Sequence, residues 1–319
     1  MHKGRGRARI DRVLGPADRI EVVLEGLLVQ EGELRGFEPY DPTRYAHQDL
    51  EGRVDLREEL SFTIDPETAK DFDDALTITE DRAYVHIADV SYFVPAGSPL
   101  DRGAQERAFS VYVPGLVSPM LPPELSEELC SLRPNTDRLC LTVEVPLKDG
   151  LPAGEPQFYR SVIRSRERLT YSQAQAILRG RERADADLTE ALERAERLAT
   201  ALRDRRFTRG ALRIESGEVA FAFDGKGGVE RAWRETEPQA HMLIEELMIL
   251  ANELVAGLLA GRLREALYRV HEPPEPQSVQ LMLARLADLG VPTPPAPKQM
   301  GPSEAVSYTH LTLPTIYSV

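Results

Sequence analysis

The chain has 319 residues, 42% hydrophobic and 29% charged, with a formal net charge of −13, the balance of a folded globular protein with room for one large domain or two ordinary ones. No run of about 18 apolar residues occurs, and the apolar stretch 241–261 is interrupted by Glu245, Glu246 and Glu253, so it predicts a buried helix and no membrane span. The acidic balance counts against a protein that coats nucleic acid, though an enzyme threading one strand through a local basic groove remains compatible with it.

The first residues, HKGRGRAR at 2–9, are basic but lack the apolar segment of a secretory signal. Cys130 and Cys140 have neither a disulfide framework nor zinc-ligand spacing, and read as small buried apolar residues in a reducing cytoplasm. Residues 1–15 are β-friendly and close on Gly15-Pro16, which predicts a strand. Residues 19–30 fit an amphipathic helix or a strand equally well, and 36–59 read as a polar approach segment. LSFTI at 60–64 predicts a short strand, followed after an acidic loop by two strands in DALTITE and AYVHIADVSYFV joined by a tight turn. SPLDRGAQERAF at 98–109 predicts a helix capped by Ser98 or Asp101, and the proline-studded 111–132 predicts irregular backbone packed on the core. A strand is expected at 138–147, then a helix at 169–180 opened by a Thr170–Gln173 capping box and stopped at Gly180. Leu188, Leu192, Ala195, Leu198 and Leu202 share one face of a helix at 186–206. A Gly-rich hairpin at 218–233 and helices near 236–260 and 276–289 complete the ordered body. Basic clusters at 160–169 and 203–213 read as solvated element ends.

The chemistry concentrates in TIDPETAKDFDDA, residues 63–75. Asp65 ends a strand, Asp71 lies six residues on, and Asp73 and Asp74 precede the next strand. A loop that returns to its origin can bring all four carboxylates to one place, where hard cations such as Mg²⁺ take oxygen ligands. Two ions about 3.5–4 Å apart can activate a water and hold the leaving oxygen of a phosphodiester. A calcium EF-hand starting at Asp65 fails, because Lys70 stands where glycine is needed and Leu76 where glutamate is needed. From the residues alone, a metal site and a solvated turn stay equally open.

TIDPETAKDFDDAL, then VHIADVSYFVPAGSPLDRGAQERAFSVYVPGLVSPMLPPELSEELCSL, IEELMILANELVA and YRVHEPPEP, resemble in the same order the catalytic (RNB) domain of the ribonuclease II/ribonuclease R family of 3′→5′ exoribonucleases. The resemblance covers about residues 52–300. It implies an α+β fold, a mixed or antiparallel sheet core flanked by helices. It also implies that Asp65, Asp71, Asp73 and Asp74 surround two Mg²⁺ ions, with Asp73 the most critical for chemistry. Tyr112 matches the tyrosine that stacks on RNA near its 3′ end, Tyr171 and one of Glu245 or Glu246 match positions that hold the terminal ribose, and Phe221 or Phe223 matches an aromatic that clamps the last bases. Such stacking suits an enzyme indifferent to sequence, and contact with the 2′-hydroxyl distinguishes RNA from DNA. His86, His241 and His271 read as packed histidines.

The chain departs from the family at AVSYTHLTLPTIYSV, residues 305–319: Tyr308, Thr309, His310, Thr312 and Pro314 match a family motif, but Ile316 and Tyr317 stand where its phosphate-gripping arginines would be. Residues 4–50 resemble more loosely the segment that leads into the RNB domain from an RNA-binding barrel, so the resemblance implies that 1–15 are the remnant of an oligonucleotide-binding barrel, 16–51 a lead-in and 52–304 a partial RNB domain, with 305–319 expected to be a non-native tail. The expected function is a monomeric, cytoplasmic, Mg²⁺-dependent 3′→5′ exonuclease of single-stranded RNA that releases nucleoside 5′-monophosphates, weakly active or inactive in this chain. The alternative is a non-catalytic RNA-binding or scaffold protein that keeps the fold.

Overall fold

The computed structural model describes residues 10, 12–33, 36–41, 49–211, 219–224, 228–234, 239–262, 265–266, 268 and 275–290. The expected strand over 1–15 and the expected tail at 305–319 fall mostly or wholly outside them. Residues 19–30 resolve to a helix, α1 (Ile20–Gln30). The predicted short strand is part of a twelve-residue one, β1 (Val54–Asp65). Its charged first half looked like approach segment because a strand end flanked on one side by solvent tolerates alternating charge. What makes it strand is a distant partner, β8 (Gln157–Thr170), which it meets in parallel with Val54 beside Ser161 and Asp65 beside Thr170.

β2 (Asp74–Ile78) and β3 (Arg82–Ala88) follow as an antiparallel pair. β3 then ends sooner than expected, because Val90–Phe93 turns into a short helix, α2. The helix α3 (Pro99–Arg107) is capped by Ser98, whose hydroxyl accepts the Asp101 N–H at 3.1 Å. Within the proline-rich stretch, β4 (Val111–Val113) and β5 (Leu116–Ser118) form a small hairpin, followed by one π-helical turn at Glu124–Leu129. β6 (Asp137–Lys148) carries the two-residue β7 (Leu151–Pro152) at its end.

Strand order is β3-β2-β1-β8-β6, and β6 pairs back onto β3, so five strands close into a barrel with no free edge. One outer face carries Phe62, Ile64, Leu76, Val85 and Val143 into a core shared with three helices. These are α4 (Tyr171–Leu178), α5 (Ala186–Thr208) and α6 (Gln239–Gly261). The expected capping box opens α4, with Thr170 and Gln173 exchanging bonds of 2.9 and 3.0 Å, an arrangement worth about 1 kcal/mol. Leu188, Leu192, Ala195 and Leu198 are buried on α5 as the periodicity requires. A second core cluster gathers Ala75, Ala88, Phe93, Leu125, Leu132, Leu139 and Ile163. β9 (Val219–Phe223) and β10 (Val229–Arg234) make a separate hairpin, and α7 (Pro276–Asp288) is the last described helix.

A polar chain crosses five strands: Ser61 to Thr77 at 2.9 Å, Thr77 to His86 Nε2 at 3.1 Å, His86 Nδ1 to Thr142 at 2.9 Å, and Thr142 to Ser161 at 2.6 Å. All five residues are buried. Burial pushes the His86 imidazole down to about 3, so it is neutral at physiological pH and serves as a hydrogen-bonded part of the sheet, as expected of a packed histidine. Near the start of β1, Arg53 and Asp89 form an ion pair at 2.6 Å with both side chains almost wholly removed from water. Arg53 Nη1 also donates to the Cys140 and Ser161 carbonyls, each at 3.3 Å, tying that pair to β6 and β8.

Candidate active site

β1 delivers Asp65 at its end, and β2 begins at Asp74. The two are antiparallel neighbours with Phe62 opposite Leu76, so the intervening loop must come back to its origin, and continuing that register sets Asp65 across from Asp73. The loop's far end is pinned from the other side by Ser131, which is fully buried. Its hydroxyl donates to the Lys70 carbonyl at 3.1 Å and accepts the Phe72 N–H at 3.0 Å, while the Leu132 N–H reaches the Phe72 carbonyl at 2.8 Å. The Asp73 carbonyl accepts the Ala88 N–H at 2.9 Å, which fixes the last acidic residues on β3.

The carboxylates feel one another. Asp65 is pushed up to about 6, mainly by burial, with Asp73 and Asp71 adding to it and the Thr63 hydroxyl and Arg168 opposing it in part. Asp73, the most exposed of the four, is pushed up to about 6 by partial loss of water around its carboxyl and then by Asp71. Asp74 reaches about 7, through burial first and then Asp65 and Asp73. Oδ2 of Asp65 and Oδ2 of Asp74 are buried with no hydrogen-bond partner. Unpaired buried acceptors whose charge is disfavoured by their neighbours are the chemistry a hard cation satisfies. Among the described residues no group of three or more His, Cys, Asp or Glu side chains is arranged to hold a metal ion; the four aspartates are near enough to disfavour one another's charge, and an ion here would need waters or phosphate oxygens as further ligands.

The RNB domain model matches residues 53–312, most of the chain. The chain belongs to the RNB-domain family. Ribonuclease R of Aquifex aeolicus is 41% identical over 257 residues, which make up 78% of this chain and 36% of that protein. The chain thus spans about a third of the length of this curated relative. Among solved structures, the apo form of Mycoplasma genitalium RNase R superposes with a TM-score of 0.84 at 27% identity, over 94% of this chain and 49% of that one. The same enzyme in complex with ribose-methylated single-stranded RNA gives 0.82 at 26% identity, with the same coverage. The expected α+β fold with a mixed sheet and flanking helices is therefore that of an RNB domain.

Within the RNB domain, the tyrosines expected from the sequence join the acidic loop. Tyr112 is exposed on the β4–β5 hairpin and its hydroxyl donates to Asp71 Oδ2 across a long 3.4 Å. Tyr171, the first residue of α4, has its phenol pushed up to about 12 by burial and then by Asp74 and Asp65. Its ring stacks on His241 of α6, with centroids 3.6 Å apart and planes 20° from parallel, so that histidine packs against the site and not in a remote core. Glu245 and Glu246 part company: Glu246 is buried and gripped by Arg206 of α5 at 2.6 and 3.2 Å, whereas Glu245 is exposed and meets the same guanidinium once, at 3.1 Å. Phe221 is exposed on a hairpin whose strands pair only with each other among the described strands. The side chain of Phe223, and His271, lie outside the described residues. Ser131 and Arg206 were not singled out from the sequence: a serine and one arginine in an arginine-rich helix carry no local signal of what they will hold.

The strained carboxylates have a thermodynamic consequence. Their folded-state values lie above the ordinary 3.8, so their favourable contribution is complete below pH 4 and is lost as pH rises through 6 to 7. Asp74→Asn is accordingly expected to stabilise the metal-free chain at pH 7.5 by on the order of 1–2 kcal/mol, after allowance for coupling and solvent screening, and to add nothing at pH 4. Urea unfolding at the two pH values checks it; equal stability at both means that Asp74 is well solvated.

Proposed function

We propose that this chain carries the catalytic centre of a Mg²⁺-dependent, hydrolytic 3′→5′ exoribonuclease that acts on single-stranded RNA and releases nucleoside 5′-monophosphates. The observation that carries this reading is the returning acidic loop with two buried, unpartnered carboxylate oxygens, in a chain of the RNB family. Asp65, Asp71, Asp73 and Asp74 are the residues that would hold the metal, two ions in the fullest form. When bound, divalent cations polarise the phosphate and lower the pKa of a coordinated water.

The chain's own residues do the rest. Tyr112 offers an exposed ring beside Asp71, suited to stacking on a base near the 3′ end. Tyr171 lies within electrostatic reach of Asp65 and Asp74, where its hydroxyl can orient the terminal ribose. Glu245 is the better ribose partner of the two glutamates, because it is exposed and shares a helical face with His241 four residues earlier, whereas Glu246 is committed to Arg206. Phe221 and Phe223 are proposed as the clamp on the last bases. In the reaction, water adds to the last bridging phosphorus, the bond to the preceding 3′-oxygen breaks, and that oxygen takes up a proton while the water loses one. Turnover by this chain is slow on this reading, since Ile316 and Tyr317 replace the family's phosphate-contacting arginines and a lost charge-stabilising donor typically costs about 10²–10³ in rate. The cytoplasm suits two buried, unoxidised thiols, Cys130 and Cys140.

Chromatography of the products tests the proposal. Nucleoside 5′-monophosphates accumulating with Mg²⁺ and stopping with a chelator are expected. Internal fragments, or RNA bound and left intact, would contradict it, the latter pointing to an RNA-binding scaffold.

A further inference from the structure

Arg168 lies on β8, beside Thr63 of β1, with Thr170 two residues on beside Asp65. Its Nη2 donates to the Pro66 carbonyl at 2.6 Å and the Glu67 carbonyl at 3.3 Å. Its guanidinium also sits over the Phe72 ring, 5.2 Å from the centroid. Pro66 and Glu67 open the acidic loop and Phe72 closes it, so one side chain grips both ends. The Arg168 Nε is buried and makes no hydrogen bond, as is the case for Oδ2 of Asp65, and the guanidinium charge favours the ionised form of that carboxyl against burial.

We propose that Arg168 is a positioning residue: by fastening the loop's first carbonyls and its last aromatic ring to β8, it sets the separation of Asp65 and Asp73. Its consequence for divalent-cation affinity rests on the reading that these carboxylates hold such an ion. Nη2 alone reaches both adjacent carbonyls while the flat face of the guanidinium lies over the Phe72 ring, and a lysine ammonium has no flat face with which to keep both contacts at once. A lysine would keep only the positive charge that moderates repulsion among the aspartates. Ser131 holds the opposite side of the loop through Lys70 and Phe72, so losing Arg168 frees the Asp65 end first.

Amide hydrogen exchange of the metal-free chain, read by NMR, tests the positioning directly. The reporters are the Ala69 N–H, bonded to the Pro66 carbonyl at 3.1 Å, and the Phe72 N–H on Ser131. Both Arg168→Lys and Arg168→Met are expected to speed exchange at the Ala69 amide by about 10-fold or more and at the Phe72 amide, which Ser131 still holds, by less, with the β3 amides of Val85 and His86 unchanged. Exchange unaltered in both variants, altered only in Arg168→Met, or raised throughout the sheet overturns the proposal, the second because charge alone would then suffice and the third because the effect would be global. Binding of Mn²⁺, followed by the electron paramagnetic resonance of the free ion, is expected to weaken by about 10- to 100-fold in the lysine variant. A wild-type chain that binds no Mn²⁺ contradicts the metal reading, and in that case the exchange result still decides on Arg168.

Discussion

Asp73→Asn is expected to lower the rate of RNA shortening by about 10³-fold or more while leaving the barrel intact. The substitution keeps the side chain's size, removes its charge and turns one acceptor oxygen into an NH2 donor. The backbone bond from Ala88 to the Asp73 carbonyl does not involve the side chain, so β3 holds its register. Asp73 is the most exposed of the four aspartates and lies opposite Asp65 by continuation of the strand register, so on the proposed reading it is the carboxylate most open to an incoming phosphate. Loss of a group that holds or orients charge in a transition state commonly costs about 10²–10³ each, and loss of a metal ligand removes several such interactions together. Because turnover by this chain is expected to be slow, the rate is best taken with enzyme in excess over labelled RNA. Circular dichroism and the thermal midpoint should match the wild type or rise slightly, since repulsion from Asp71 is relieved. A variant within about 10-fold of wild type would remove Asp73 from the centre of the chemistry.

The second large effect is on stability. Arg53→Met leaves Asp89 buried without its partner and releases two strand carbonyls, and a cost of about 3–5 kcal/mol is expected. Burial would raise Asp89, but the Ser91 hydroxyl and the Arg53 guanidinium outweigh it and keep the carboxylate below its usual value. That lowered value means the pair's contribution is present above the unfolded-state pKa and is lost as pH falls through the folded-state one. The gap between wild type and Arg53→Met should therefore be widest near neutrality and narrow below about pH 4. Replacing both residues, with Asp89→Leu added, should recover part of the loss, because no buried charge is then left alone. Urea denaturation across pH measures all three; a cost under about 1 kcal/mol would mean that water reaches the pair.

The fold was legible where local chemistry decides it. The Thr170–Gln173 capping box, the Ser98 cap and the leucine face of α5 are short-range signals, and the structure has all three. The acidic loop was legible as well, because two strands joined by a short loop return to the same place. Barrel closure was not: β6 pairs with β3 across more than fifty residues, and no local pattern encodes that partner. The same distance hid the first half of β1, whose charges look unlike strand until β8 lies alongside. Site details failed for a related reason. Glu245 and Glu246 are adjacent and identical in kind, and only Arg206, about forty residues earlier on another helix, separates a buried ion pair from an exposed carboxylate. Arg53 and Arg168 look like any other arginines among many until their partners are in place.

The central claim is tested most directly with 5′-labelled single-stranded RNA, Mg²⁺ and the wild-type chain beside Asp73→Asn, sampled over time on a sequencing gel. The expected result is a ladder that shortens one nucleotide at a time from the 3′ end, stops with a chelator, and is absent for Asp73→Asn. RNA that stays full length when incubated with a folded wild-type chain and Mg²⁺, or that shortens equally with Asp73→Asn, would contradict the assignment.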